Sequence, residues 1–147
     1  SQQAVIFNKA GEVLALQFSN YDSDKIAGKW TLPGGTMDES DESTHIGLRR
    51  EVREETGIDV DVLHPVRVGK FINFDGRKRI LALYLCKSNS DFNELSHEHT
   101  QFKWLSVEQA IKLDWINEHY PGAIMNAARL WELEDNSIGS DAIEVKK

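Results

Sequence analysis

From Glu42 to Thr56 nearly every residue is a good helix former, Leu48 and Val52 stand four apart on one face, and Gly57 follows where a C-cap glycine belongs. That predicts one helix of about four turns. The flanking segments are β-prone. Residues 4–7 and 13–18 are short apolar runs separated by Asn8-Lys9-Ala10-Gly11-Glu12, which predicts two strands paired as a hairpin. Residues 60–74 hold two further β-prone stretches, and 79–86 a third, with Asp75-Gly76 placed to close a hairpin between them. A short strand over 102–105 follows a polar loop over 88–100. Ser106, with Glu108 and Gln109 close behind, opens one helix, and Pro121 favours a second through 123–133. The order strands, helix, strands, helices lacks regular βαβ alternation. It predicts an α/β (α+β) fold with helices packed on a mainly antiparallel sheet.

A chain of 147 residues fits one domain, with a core over about 4–133 and an acidic tail over 134–147. Within the tail, Asp141-Ala142-Ile143-Glu144-Val145 alternates apolar and acidic residues. It reads either as an edge strand, within the chain or across a homodimer, or as a mobile terminus. The single cysteine, Cys86, lies in an apolar run and reads as a buried thiol suited to a reducing compartment. No apolar stretch approaches the ~20 residues that span a bilayer, and the N-terminus lacks the pattern of a signal peptide. A cytoplasmic location is the expectation. A formal charge of −7 argues against a nucleic-acid partner, whose backbone calls for clustered Lys and Arg. A small anionic ligand remains compatible, because metal ions and local donors invert the field inside a site.

Helical spacing puts Glu51, Glu54 and Glu55 on one side of the helix. Like charges four apart cost about 0.2–0.5 kcal/mol per pair, so a cation is the natural complement. Mg²⁺ prefers oxygen ligands and is held by one or two carboxylates with waters and substrate phosphates. The plainer reading is a solvated acidic face neutralised by Arg50 and Arg53. Upstream, Leu32-Pro33-Gly34-Gly35 offers backbone that a ligand can approach closely, although such a segment alone is also an ordinary turn.

The stretch 35–58, GTMDESDESTHIGLRREVREETGI, resembles the Nudix box, G-x5-E-x7-R-E-U-x-E-E-x-G-U with U aliphatic. Glu42, Arg50, Glu51, Val52, Glu54, Glu55, Gly57 and Ile58 occupy matching positions, but six residues separate Gly35 from Glu42 where the pattern has five. The lead-in 28–35 is also similar to the family's, and the resemblance extends over about residues 4–133. It implies an α/β/α sandwich and hydrolysis of a nucleoside diphosphate linked to another moiety. Carried over by position, Glu51, Glu54 and Glu55 would be metal ligands, joined by the Gly34 carbonyl, with Mg²⁺ or Mn²⁺ as the metal. Glu54 or Glu55 would help activate water. Arg50 and Glu42 would support the loop and orient the glutamates. Glu98, in a loop before Trp104, resembles an additional acidic ligand or base of the family; the other reading is an exposed loop glutamate. His97 and His99 read as loop histidines unless geometry brings them to the site.

Phe71, Phe74, Trp115 and Tyr120 are candidates for an aromatic slot around a base, and equally for the core. Relatives acting on ADP-ribose carry a proline about fifteen residues after the box, where this chain reads Ile72-Asn73-Phe74. The resemblance is therefore nearer to MutT-type enzymes that convert a nucleoside triphosphate to a monophosphate and pyrophosphate. ADP-ribose, nucleotide-sugar and dinucleoside polyphosphate hydrolysis are the alternatives. A catalytically silent nucleotide sensor is disfavoured by an intact set of box glutamates, and an RNA-processing enzyme by the acidic balance.

Overall fold

The computed structural model describes residues 1–19, 25–73, 75–89 and 99–146, with the side chains of 99–100 and 135–146 excepted. The elements, in chain order, are β1 (Gln2–Phe7), β2 (Val13–Phe18), β3 (Trp30–Thr31), β4 (Gly34–Gly35), α1 (Thr44–Thr56), β5 (Val60–Ile72), β6 (Lys78–Ser88), β7 (His99–Leu105), α2 (Val107–Ala110) and α3 (Tyr120–Lys146). The sheet runs β3-β2-β1-β6-β5, with β4 added to β1 and β7 to β2. Only the β1–β6 pairing is parallel; the other named strand pairs are antiparallel.

Residues 4–7 of β1 show why that stretch is apolar without alternation. Ala4 and Ile6 pack against Leu48 and Val52 of α1, whereas Val5 and Phe7 pack against Tyr120, Ala123, Ile124 and Ala127 of α3. Successive side chains in a strand point to opposite faces, so a strand covered by helices on both sides must be apolar at every position. The expected α/β/α layering follows from this double burial.

The first hairpin is present only at its turn end. Asn8 Oδ1 accepts hydrogen bonds from Ala10 N at 3.0 Å and Glu12 N at 2.9 Å, which turns the chain. After Phe7 opposite Val13 the strands part, and Ala4 N instead donates to Pro33 O at 2.8 Å. The gap admits the Pro33-Gly34-Gly35 segment beside β1.

The two stretches expected over 60–74 form one strand, β5, whose register shifts between Val62 and His64 and between Pro65 and Arg67. Pro65 is accommodated because β5 is the sheet edge on that side. The hairpin around Asp75-Gly76 forms as expected, with Gly76 N donating to Asn73 O at 2.9 Å. Ser106 and Gln109 complete a capping box at α2. The tail differs from the edge-strand reading, since α3 continues to Lys146. Among the described residues no helix is long and apolar enough to cross a membrane. Cys86 is fully buried, and burial pushes its thiol up to about 12, as expected of an inert core cysteine.

Candidate active site

α1 begins at Thr44, about two turns before the first of its three box glutamates. Ser43 caps it, its side chain accepting from Ile46 N at 3.1 Å, and Gly57 ends it with a left-handed φ of 72° while its N–H donates to Arg53 O at 2.9 Å. Leu48 and Val52 anchor the buried side of the helix, which turns the carboxylates toward β4.

Each glutamate has its own restraint. Gly34 N donates to Glu55 Oε1 at 3.0 Å. The Glu51 carboxylate lies so close to Gly35 that a Cβ built there would stand 2.7 Å from it. Arg50 Nη1 bridges Glu51 Oε1 at 3.2 Å and both Glu54 oxygens at 3.3 Å. Burial pushes the Glu51 carboxyl up, against the Arg50 guanidinium that pulls it down. Among the described residues no three Asp, Glu, His or Cys side chains stand close enough together to hold a metal ion as they lie. The arrangement fits a hard cation all the same: the donors are carboxylate oxygens beside glycine backbone, and Glu51 and Glu54 already share one positive group. Arg53 does not neutralise them; it pairs with Asp59 at 2.7 Å, as Arg49 does at 3.0 Å.

Gly34 itself is sterically required. A Cβ there would stand 2.1 Å from the backbone oxygen of Gln2 and 2.7 Å from Gln3 Cα. Gly34→Ala is expected to cost at least about 1–3 kcal/mol, because overpacking against backbone cannot relax by a rotamer change. A thermal melt indistinguishable from wild type would show that β4 does not hold β1 this tightly.

Arg50 is oriented by a residue that sequence spacing did not select. Asp41 receives Arg50 Nε at Oδ1 (3.2 Å) and Nη2 at Oδ2 (3.0 Å), and it also accepts from Asp38 N at 2.7 Å. The Asp41 side chain is 5% exposed, and its hydrogen bond from Arg50 holds the carboxyl below the usual range. Glu42, the expected support, is exposed. Five residues, 36–40, separate Gly35 from Asp41, so counted from the glycine side the box spacing selects the acid that holds Arg50. The overlooked signal was the spacing from the glycine side.

On the other face of β1 a cavity of about 200 Å³ is lined by residues including Gln3, Phe71, Asn117 and Tyr120. Gln3 stands opposite Gly34 in the sheet, so cavity and glutamates meet at the glycine pair. Tyr120 hydrogen-bonds with Thr31 and Gln3, and burial pushes its phenol up to about 12. The loop carrying Asn117 is tied to β5: His119 Nε2 lies 2.8 Å from Lys70 O, and Arg67 Nε donates to His119 Nδ1 at 3.2 Å. Of the aromatic candidates, Phe71 and Tyr120 line this cavity. Trp115 is a core residue, its indole donating to Ala110 O at 2.8 Å. Phe74, His97 and Glu98 lie outside the described residues, and His99 opens β7 opposite Phe18. Gln3 and Asn117 were missed because nothing local marks two polar residues, more than a hundred positions apart, as one wall.

A NUDIX domain family model matches residues 2–125. The chain belongs to the NUDIX family. It is 34% identical over 110 residues to a MutT-like protein of Streptomyces ambofaciens, covering 74% of this chain and 64% of that protein. It is also 34% identical over 113 residues to the CTP pyrophosphohydrolase of Escherichia coli, covering 74% and 77% of the two chains. The solved C. elegans Ap4A hydrolase superposes with a TM-score of 0.73 at 26% identity, over 89% of this chain and 96% of that one. The chain spans less than two thirds of the length of the MutT-like protein, and 44% and 38% of two further curated relatives.

Proposed function

We propose that the chain is a single NUDIX domain that hydrolyses a diphosphate linkage in a nucleoside diphosphate derivative, converting a nucleoside triphosphate to a monophosphate and pyrophosphate. The observation that carries this reading is the meeting of two features at Gly34-Gly35: a helix face of three glutamates on one side and a cavity walled by Phe71, Tyr120, Gln3 and Asn117 on the other. The first suits a hydrated diphosphate with its cations, and the second a mostly apolar ring with a few polar edges. The similarity to a CTP pyrophosphohydrolase supports the triphosphate choice.

Glu51, Glu54 and Glu55, with the Gly34 carbonyl, would hold Mg²⁺ or Mn²⁺. When bound, such ions neutralise phosphate charge and make water a better nucleophile. Gly34 N–H keeps Glu55 in place, and Arg50 keeps Glu51 and Glu54 within reach of one another. The attacking water forms a bond to phosphorus as the bridging P–O bond breaks. Glu54, Glu55 or Glu98 takes the water's proton, and pyrophosphate leaves.

The test is a panel of nucleoside triphosphates, oxidised dNTPs, ADP-ribose, nucleotide sugars and dinucleoside polyphosphates incubated with Mg²⁺, products being resolved by chromatography. Metal-dependent release of a monophosphate and pyrophosphate from a triphosphate is expected, and it should stop on chelation. Cleavage of another panel member instead would move the substrate and keep the chemistry. Tight binding of one compound without cleavage would favour a sensor and overturn the hydrolase reading.

A further inference from the structure

Gln2 is 7% exposed, yet among the described residues its side-chain Oε1 has no hydrogen-bond partner. A buried amide oxygen without a donor destabilises a fold, so its retention calls for a reason. Its position supplies one. Alternation along β1 places Gln2 on the face of Ala4 and Ile6, which pack against α1. Across the antiparallel ladder Gln2 stands opposite Gly35, and partners in such a ladder carry their side chains on the same face. On that face a Cβ at Gly35 would meet the Glu51 carboxylate. Gly35 has no side chain to fill the space between them, so the ladder puts Gln2 on the face of Gly35 that the Glu51 carboxylate covers. An orphan acceptor and a carboxylate on one face are complementary to a cation or to the waters it carries, since Mg²⁺ keeps much of its hydration shell when protein-bound.

We propose that Gln2 is a further positioning residue of the glutamate face, its side-chain carbonyl accepting from the hydration shell of the divalent cation that Glu51 holds. This rests on the reading of the site given above. Removing the orphan oxygen relieves a cost in the metal-free protein and removes a partner in the metal-bound one. The two effects have opposite signs, which a purely structural core residue would not produce.

The experiment is a titration of the whole chain with Mn²⁺, free ion being read by electron paramagnetic resonance, alongside thermal melts without metal. Gln2→Leu is expected to weaken Mn²⁺ binding about tenfold, the lower end for residues that support metal ligands, with a metal-free melting temperature no lower than wild type. Unchanged affinity would overturn the proposal. Should Gln2→Leu also lower the metal-free melt, Gln2→Glu decides: a carboxylate turned to the cation tightens Mn²⁺ binding, whereas equal or weaker binding overturns the role. Glu51→Gln and Glu55→Gln are run in parallel. Absence of Mn²⁺ binding by wild type, or indifference to both glutamate substitutions, would remove the parent reading; wild-type binding that needs the glutamates but ignores Gln2 removes only this one.

Discussion

Glu55→Gln is expected to lower turnover on the order of 10²–10³-fold, the range seen when one preorganised electrostatic group is deleted from an active site, while the melting temperature stays close to wild type. The two outcomes separate because the proposed function gives Glu55 a second task beside its bond to Gly34. Its Oε1 accepts the Gly34 N–H at 3.0 Å, and a glutamine oxygen of the same reach preserves that bond and hence the seating of β4 against α1. The negative charge is what glutamine removes, and charge is what a divalent cation and its activated water depend on. Steady-state rates across a Mg²⁺ series, with melts on the same preparations, check both halves. Full turnover in Glu55→Gln would mean that the glutamates form a solvated acidic face whose neutralisation by Arg50 is the whole story. A loss of activity accompanied by unfolding would instead assign the residue to the β4–α1 joint.

What could be read from the chain in advance follows a physical division. α1 was legible because its signals are local: helix formers, a face made by Leu48 and Val52, and Gly57 at the end. The capping box at Ser106 and the turn at Gly76 were legible for the same reason. The splitting of the β1–β2 hairpin was not. It depends on Pro33-Gly34-Gly35 competing for β1, a contact between segments about thirty residues apart that no periodicity records. The sequence predicts two stretches over 60–74, whereas β5 is one strand with two register shifts, and its place at the sheet edge lets it continue through Pro65. The glutamates could be named from spacing, since i, i+3 and i+4 on a helix fix their side. Gln3, Asn117 and Tyr120 come together through the packing of α3 on β1, and that packing is written in the whole core.

The sharpest departure from the sequence reading yields the second large effect. Asp41→Asn is expected to reduce activity about 10–100-fold at limiting Mg²⁺, the usual consequence of disturbing a group that orients metal ligands, and Glu42→Gln is expected to leave it at wild type. Asp41 receives the Arg50 guanidinium through two parallel hydrogen bonds, a geometry in which planar fork meets planar carboxylate. α1 makes room for it: a Cβ at Gly47 would stand 2.8 Å from Asp41 Oδ2. With asparagine one of the two bonds is lost along with the charge. Arg50 then keeps one weaker, uncharged bond to position 41, and its charged partners are Asp38 and the carboxylates of the glutamate face, so it competes more strongly with a divalent cation for Glu51 and Glu54. The defect should therefore appear chiefly as a raised Mg²⁺ requirement, with turnover recovering at high metal, unlike the loss in Glu55→Gln. Glu42 precedes the Ser43 cap with its side chain in solvent, where removing the charge disturbs no bond to Arg50. The opposite result, a silent Asp41→Asn and a crippled Glu42→Gln, would restore the spacing counted from Arg50 and place the extra loop residue before the acid.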